Sequence, residues 1–150
     1  RIREAVMSAR FETASRLLGR PYGLFGRVVK GDGRGTTLGF PTINLQLDHE
    51  LLPPPGVYAV WAKADGRTHP GALHLGPRPT FDAPEPRVEC HLLEGIRKLP
   101  QNATGKGLYG RDFELIPVRR LRPVRRFRSA EALTRQISLD VAAARAALRA

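Results

Sequence analysis

The sequence predicts a mainly β fold, an antiparallel barrel with helical segments at its two ends. Three observations carry this. Strand-like runs separated by Gly- and Pro-rich turns fill the middle of the chain, without the alternating helices of a parallel sheet. Residues 87–93 alternate cleanly, with Val88, Cys90 and Leu92 on one face and Arg87, Glu89 and His91 on the other. A helical period of apolar residues occurs only near the ends of the chain.

The elements follow in order. Arg1 to Leu18 reads as helix through Ile2, Val6, Ala9, Thr13 and Leu17, with a break allowed at Ser8 to Arg10, Gly19 as C-cap and Pro21 beyond it. The chain opens Arg1-Ile2-Arg3 without an initiator methionine, and we expect it to be part of a longer polypeptide. Leu24 to Val29 is a strand. Val57 to Ala64 is another, apolar on both faces and so expected to be central, preceded by the stiff Pro53-Pro54-Pro55 connector. Asp65-Gly66 is a hairpin turn. Arg67 to Leu75 returns, with Pro70 expected near a sheet edge. Asp112 to Leu121 is the last strand, where Pro117 predicts an edge or a bulge. Ser129 is the expected N-cap of a final helix with an apolar stripe of Leu133, Ile137, Val141, Ala144 and Leu148, read as scaffold packed on the barrel.

Composition narrows the function classes. The 150 residues suffice for one domain with a sizeable core. A single cysteine excludes an internal disulfide framework and a multi-thiolate zinc site, and fits a reducing cytoplasm. No stretch approaches a membrane span, so no membrane partner is expected. The formal net charge of +11 favours a polyanion, whether nucleic acid, a phosphorylated small molecule or an acidic surface.

Candidate chemistry concentrates in three places. Val28 to Leu45 holds four glycines and the cations Lys30 and Arg34, followed by Thr42 and Asn44, whose side chains share a face on extended chain. A hydroxyl and an amide oxygen beside such a loop suit a hard cation and a phosphate chain; the plain alternative is a hairpin loop and a turn. Glu89 is either a base beside a substrate hydroxyl or a solvated acid paired with Arg87 or His91. Arg119, Arg120, Arg122, Arg125, Arg126 and Arg128 cluster around Phe127, forming either a nucleic-acid strip or a binding edge for a planar, phosphate-bearing small molecule. Nucleic acid is the weaker of these, because the few aromatic residues are not arrayed together. His49 and His69 read as surface residues and Cys90 as a core hydrophobe. Two long loops, Pro77 to Pro86 and Glu94 to Gly107, are of a length that is usually functional.

Taken together, these motifs resemble the riboflavin kinase family, and in particular the C-terminal module of bacterial bifunctional riboflavin kinase/FMN adenylyltransferases. GDGRGTTLGFPTIN (Gly31 to Asn44) resembles the family's glycine-rich loop and Pro-Thr-Ala-Asn motif, with Ile43 in place of alanine. Pro55-Gly56-Val57-Tyr58-Ala59-Val60, Gly76-Pro77-Arg78-Pro79-Thr80-Phe81, Val88-Glu89-Cys90-His91-Leu92-Leu93, Leu108-Tyr109-Gly110, Leu121-Arg122-Pro123 and Arg126-Phe127 follow in the family's order. Further departures are His74 where asparagine is frequent, a longer segment from Glu94 to Gly107, and Gly107 itself where an acidic residue is common just before the Leu-Tyr-Gly turn.

The resemblance implies a six-stranded closed antiparallel barrel with a C-terminal helix. It implies a kinase domain over residues 21–150, preceded by a helical connector over residues 1–20 that trails a missing adenylyltransferase module. It implies transfer of the ATP γ-phosphoryl group to the 5′-hydroxyl of riboflavin, giving FMN and ADP. Thr42 and Asn44 would hold Mg²⁺ and the nucleotide phosphates, and Gly31, Gly33 and Gly35 would close over ATP. Glu89 would accept the hydroxyl proton. Leu92, Glu94 and Tyr109 align with nucleotide-contacting positions; Arg122, Arg125 and Phe127 align with flavin-contacting positions. The competing expectations are a flavin- or nucleotide-binding module with impaired catalysis, and a basic barrel that binds nucleic acid.

Overall fold

The computed structural model describes residues 1–29, 42–48, 51–77, 86–95 and 110–149. Two short helices, α1 (Ile2–Met7) and α2 (Phe11–Leu18), lead into six strands: β1 (Leu24–Val29), β2 (Thr42–Leu47), β3 (Gly56–Ala64), β4 (Arg67–Leu75), β5 (Val88–Leu92) and β6 (Asp112–Arg122). A last helix, α3 (Ala130–Arg149), follows. The strands close into an antiparallel barrel in the order β1-β2-β5-β4-β3-β6, with β6 pairing back onto β1. Closure leaves no free edge.

Strand alternation divides the side chains between inside and outside. Val28, Ile43, Leu45, Tyr58, Val60, Leu73, Leu75, Val88, Cys90, Leu92 and Leu115 form one buried cluster inside the barrel. Ala5 and Val6 of α1 and Phe11 and Ala14 of α2 join the same cluster. Phe11 is the anchor, stacked on Tyr22 at 5.9 Å and meeting Tyr58 edge-on at 5.7 Å. The break at Ser8 to Arg10 separates the two helices, and Gly19 ends α2 in the left-handed conformation at φ 75°. The first helical segment is thus part of the barrel's own core.

A second, smaller cluster lies outside. Ala59 of β3, Ala72 of β4 and Leu93 meet Ala144 and Ala147 of α3. Small residues on both sides let the helix lie close to the sheet. Ser129 caps α3 as expected, its hydroxyl accepting from the Ala132 N–H at 3.1 Å. Asp65 and Gly66, with φ of 52° and 75°, form the β3–β4 turn that an Asp-Gly pair favours.

Both prolines in strands find places without a ladder donor. The Pro70 carbonyl accepts from the Leu93 N–H at 2.9 Å, so its nitrogen also faces β5. The β4–β5 register ends one residue later, at Gly71–Leu92. Pro70 therefore lies at the end of a ladder in a closed barrel, not on a sheet edge. Near Pro117 the β3–β6 register shifts twice, skipping Val118 and Leu121 on β6. These bulges re-aim the arginines that follow.

A second sequence expectation is corrected: His69, read as a surface residue, is buried at 6% exposure. Its position on β4, opposite Ala62 of β3, places it in the barrel wall. His49 lies outside the described residues. No described helix is long and apolar enough to cross a membrane.

Candidate active site

The candidate residues lie on the outer face of the barrel, because the inner positions of the same strands are core. On β2, Ile43 is buried between partly exposed Thr42 and Asn44. On β5, Val88, Cys90 and Leu92 point in, leaving Glu89 and His91 outside. Strand pairing then assembles the site. Asn44 is the direct partner of Glu89, and Thr42 of His91. Directly opposed residues share a face, with Cβ atoms about 4.5–5.5 Å apart. A hydroxyl, an amide and a carboxylate therefore converge from two strands that are distant in sequence.

The same row runs on around the barrel. Glu89 pairs with His74 of β4, His74 with Val57 of β3, and Val57 with Arg122 of β6. Glu89 is held by Arg87, two residues before it on the same face, with Nε–Oε1 of 3.0 Å. The paired state considered for Glu89 from the sequence is thus present, and it leaves the carboxylate side chain 22% exposed. Burial pushes the His74 imidazole below its ordinary pKa; Glu89 and Asp140 oppose that shift, while Arg122 and Arg87 add to it. His74 is therefore the residue on which both halves of the site act. Its Nδ1 is buried and has no hydrogen-bond partner among the described residues.

At the far end of the row, Arg122 and Arg125 place their guanidinium carbons 5.7 and 5.5 Å from the centre of the Phe127 ring. Arg122 makes a two-pronged pair with Asp140 of α3, Nε–Oδ1 and Nη2–Oδ2 both at 2.8 Å. Gln136 donates to the same carboxylate at 2.9 Å and accepts from Arg125 at 3.1 Å. Sequence reasoning missed Asp140 and Gln136 and read their helix as scaffold. Arg120 is engaged elsewhere, donating to the Pro55 carbonyl at 2.6 Å.

The remaining expectations separate. The Leu92 side chain is inside the barrel at 1% exposure, so that position could reach a nucleotide only through its backbone. Glu94 is exposed just past β5. Gly31, Gly33, Gly35 and Tyr109 lie outside the described residues. An open cleft lined by Phe25, Arg27, Asp48, Lys63, Asp112 and Glu114 involves the outer faces of β1, β3 and β6, away from Asn44 and Glu89.

Thr42 and Asn44 are hard oxygen donors on one face, and they fit a cation that arrives with phosphate oxygens. Among the described residues no cluster of three or more His, Cys, Asp or Glu side chains offers a complete protein-made cage. A shared site, part protein and part phosphate, is what this donor set suits.

A closed six-stranded barrel with a polar row on its outer wall defines the class of fold. The family model for Flavokinase: Riboflavin kinase matches residues 18–148, and the chain belongs to the riboflavin kinase family. Curated relatives include the bifunctional riboflavin kinase/FMN adenylyltransferase of Pseudomonas fluorescens, 40% identical over 97% of this chain and 44% of the relative. That of Bacillus subtilis is 37% identical over 93% of this chain and 42% of the relative. The chain thus spans less than half the length of these relatives. A solved riboflavin kinase from Trypanosoma brucei superposes with a TM-score of 0.57 at 26% identity, covering 86% of this chain and 80% of that one. A structure described as a macrolide-efflux protein from Streptococcus pneumoniae superposes at 0.81 with 30% identity, over 96% of this chain and 45% of that one.

Proposed function

We propose that this chain transfers the γ-phosphoryl group of ATP to the 5′-hydroxyl of riboflavin, giving FMN and ADP. The observation that carries the reading is the cross-strand pairing of Asn44 with Glu89, which joins a phosphate- and cation-suited face to a carboxylate. Family membership supplies the substrates.

Phosphoryl transfer asks for in-line positioning and for charge stabilisation, with little covalent participation by the protein. Glu89 accepts the proton of the 5′-hydroxyl as the oxygen attacks the γ-phosphorus and the bond to ADP breaks. Arg87 restrains the carboxylate in the outer row. Thr42 and Asn44 would hold Mg²⁺, the default hard cation for such ligands, which when bound would neutralise phosphate charge. By the family resemblance, Gly31, Gly33 and Gly35 would serve the phosphates and Tyr109 and Leu92 the nucleotide. Arg122, Arg125 and Phe127 receive the flavin ring at the other end of the row.

We further propose that residues 21–150 are the kinase domain and residues 1–20 the connector from an FMN adenylyltransferase module, a reading supported by the relatives' being bifunctional riboflavin kinase/FMN adenylyltransferases. In this reading the connector is docked into the barrel core through Val6 and Phe11. A cytoplasmic setting suits the lone thiol of Cys90.

The deciding experiment incubates the protein with riboflavin and Mg·ATP and separates the flavins chromatographically. FMN formation is expected. Quenching of riboflavin fluorescence without FMN would identify a binding module instead. Neither signal, with salt-sensitive oligonucleotide binding, would point to nucleic acid.

A further inference from the structure

Asp140 is a carboxylate at 7% exposure on the barrel side of α3, one turn before Ala144. A buried ion pair is a weak source of stability, because desolvating both charges offsets most of their attraction. Packing alone therefore gives little reason for a charge here. Geometry gives a better one. All three nitrogens of Arg122 are occupied: Nε and Nη2 by Asp140, and Nη1 by the Pro123 carbonyl at 3.0 Å. Its guanidinium is consequently fixed in orientation, with the Phe127 ring 5.7 Å away. Gln136, one helical turn before Asp140, carries the restraint to Arg125, the second cation beside that ring.

We propose that Asp140 is a positioning residue for the flavin edge: it orients Arg122 directly and Arg125 through Gln136, and it cancels the Arg122 charge so that the edge suits an uncharged planar ring rather than an anion. This rests on the riboflavin kinase reading. A long arginine left unrestrained would lose rotamer freedom on each binding event; one already locked does not. The neutralised pair also bears on substrate against product. Riboflavin is uncharged, whereas the FMN phosphate, which the proposed reaction places toward the Glu89 end of the row, would feel an uncancelled Arg122 charge as a long-range attraction that salt screens.

The test measures riboflavin and FMN dissociation constants by flavin fluorescence quenching, and ADP affinity by calorimetry, for the parent protein and Asp140→Asn. The variant is expected to bind riboflavin at least fivefold more weakly, with ADP affinity within twofold. Its FMN-to-riboflavin affinity ratio is expected to rise at least threefold at low salt. A merely structural Asp140 would lower the melting temperature and leave the dissociation constants of the folded molecules unchanged. Folded Asp140→Asn with riboflavin affinity within twofold of the parent overturns the positioning role, and an unmoved FMN-to-riboflavin ratio overturns the charge-cancelling role. If Asp140→Asn does not fold, Gln136→Leu replaces it; unchanged riboflavin affinity there overturns the proposal. A parent protein that binds riboflavin but makes no FMN overturns the kinase reading and leaves the comparison of constants intact. One that does not bind riboflavin overturns both.

Discussion

His74 stands directly opposite Glu89 across the β4–β5 ladder, and its buried imidazole is held below its ordinary pKa. In the unfolded chain the same histidine titrates near 6.5. Below that pH the unfolded state binds the extra proton first, so it gains stability relative to the native state. The contribution of His74 is fully present above about pH 6.5 and is lost as pH falls through the lowered native value. Replacing His74 with Asn removes this linkage. Melting temperatures taken from about pH 7 to about pH 5 should fall less steeply for His74→Asn than for the parent. Parallel curves would show that His74 is not titrating in this way.

Glu89→Gln keeps the shape of the side chain and removes its basicity. Turnover should drop by about 10²–10⁴-fold, the usual worth of a positioned general base. ADP affinity by calorimetry should stay close to that of the parent, because Gln keeps the size of the side chain and Thr42 and Asn44 themselves are unchanged. Near-normal turnover would remove Glu89 from the chemistry.

Thr42→Ala and Asn44→Ala each delete one hard oxygen donor from the outer face of β2. Both should weaken Mg·ATP binding in calorimetry while leaving riboflavin quenching largely intact. Unchanged nucleotide affinity in both variants would place the cation elsewhere.

Gly56 begins β3 beneath the bulged end of β6. A Cβ there would stand 2.7 Å from the Arg122 carbonyl oxygen and 2.9 Å from Arg120 Nε. The backbone oxygen cannot swing away as a side-chain tip can. Gly56→Ala should therefore cost about 1–3 kcal/mol in urea unfolding, as overpacking typically does. Because the strain falls on the residue that presents the Arg122 guanidinium, riboflavin affinity should fall with it.

What the sequence made legible was mostly local. The alternation of residues 87–93 correctly separated Glu89 from Cys90, since strand period alone decides which side chain enters the core. The Asp65-Gly66 turn, the Gly19 cap and the Ser129 cap depend on chemistry within a few residues. Asp140 was not legible. It follows Leu139, 63% exposed, and a carboxylate there reads as solvated. Its burial depends on Arg122, eighteen positions earlier and on a strand. His69 failed for a related reason: nothing adjacent in sequence reveals that a histidine belongs to a closed wall. The register that sets Asn44 against Glu89 was likewise invisible, being a long-range pairing that was reachable only through family resemblance.

Alternation on β5 also makes catalysis a reporter of correct folding. A slip of one residue in the β2–β5 pairing would put the Cys90 thiol where Glu89 belongs and drive a carboxylate into the apolar interior. Such a barrel would lose the carboxylate proposed as its base and bury an unpaired charge in the same event. Chains slipped by one residue would thus be both inactive and poorly stable.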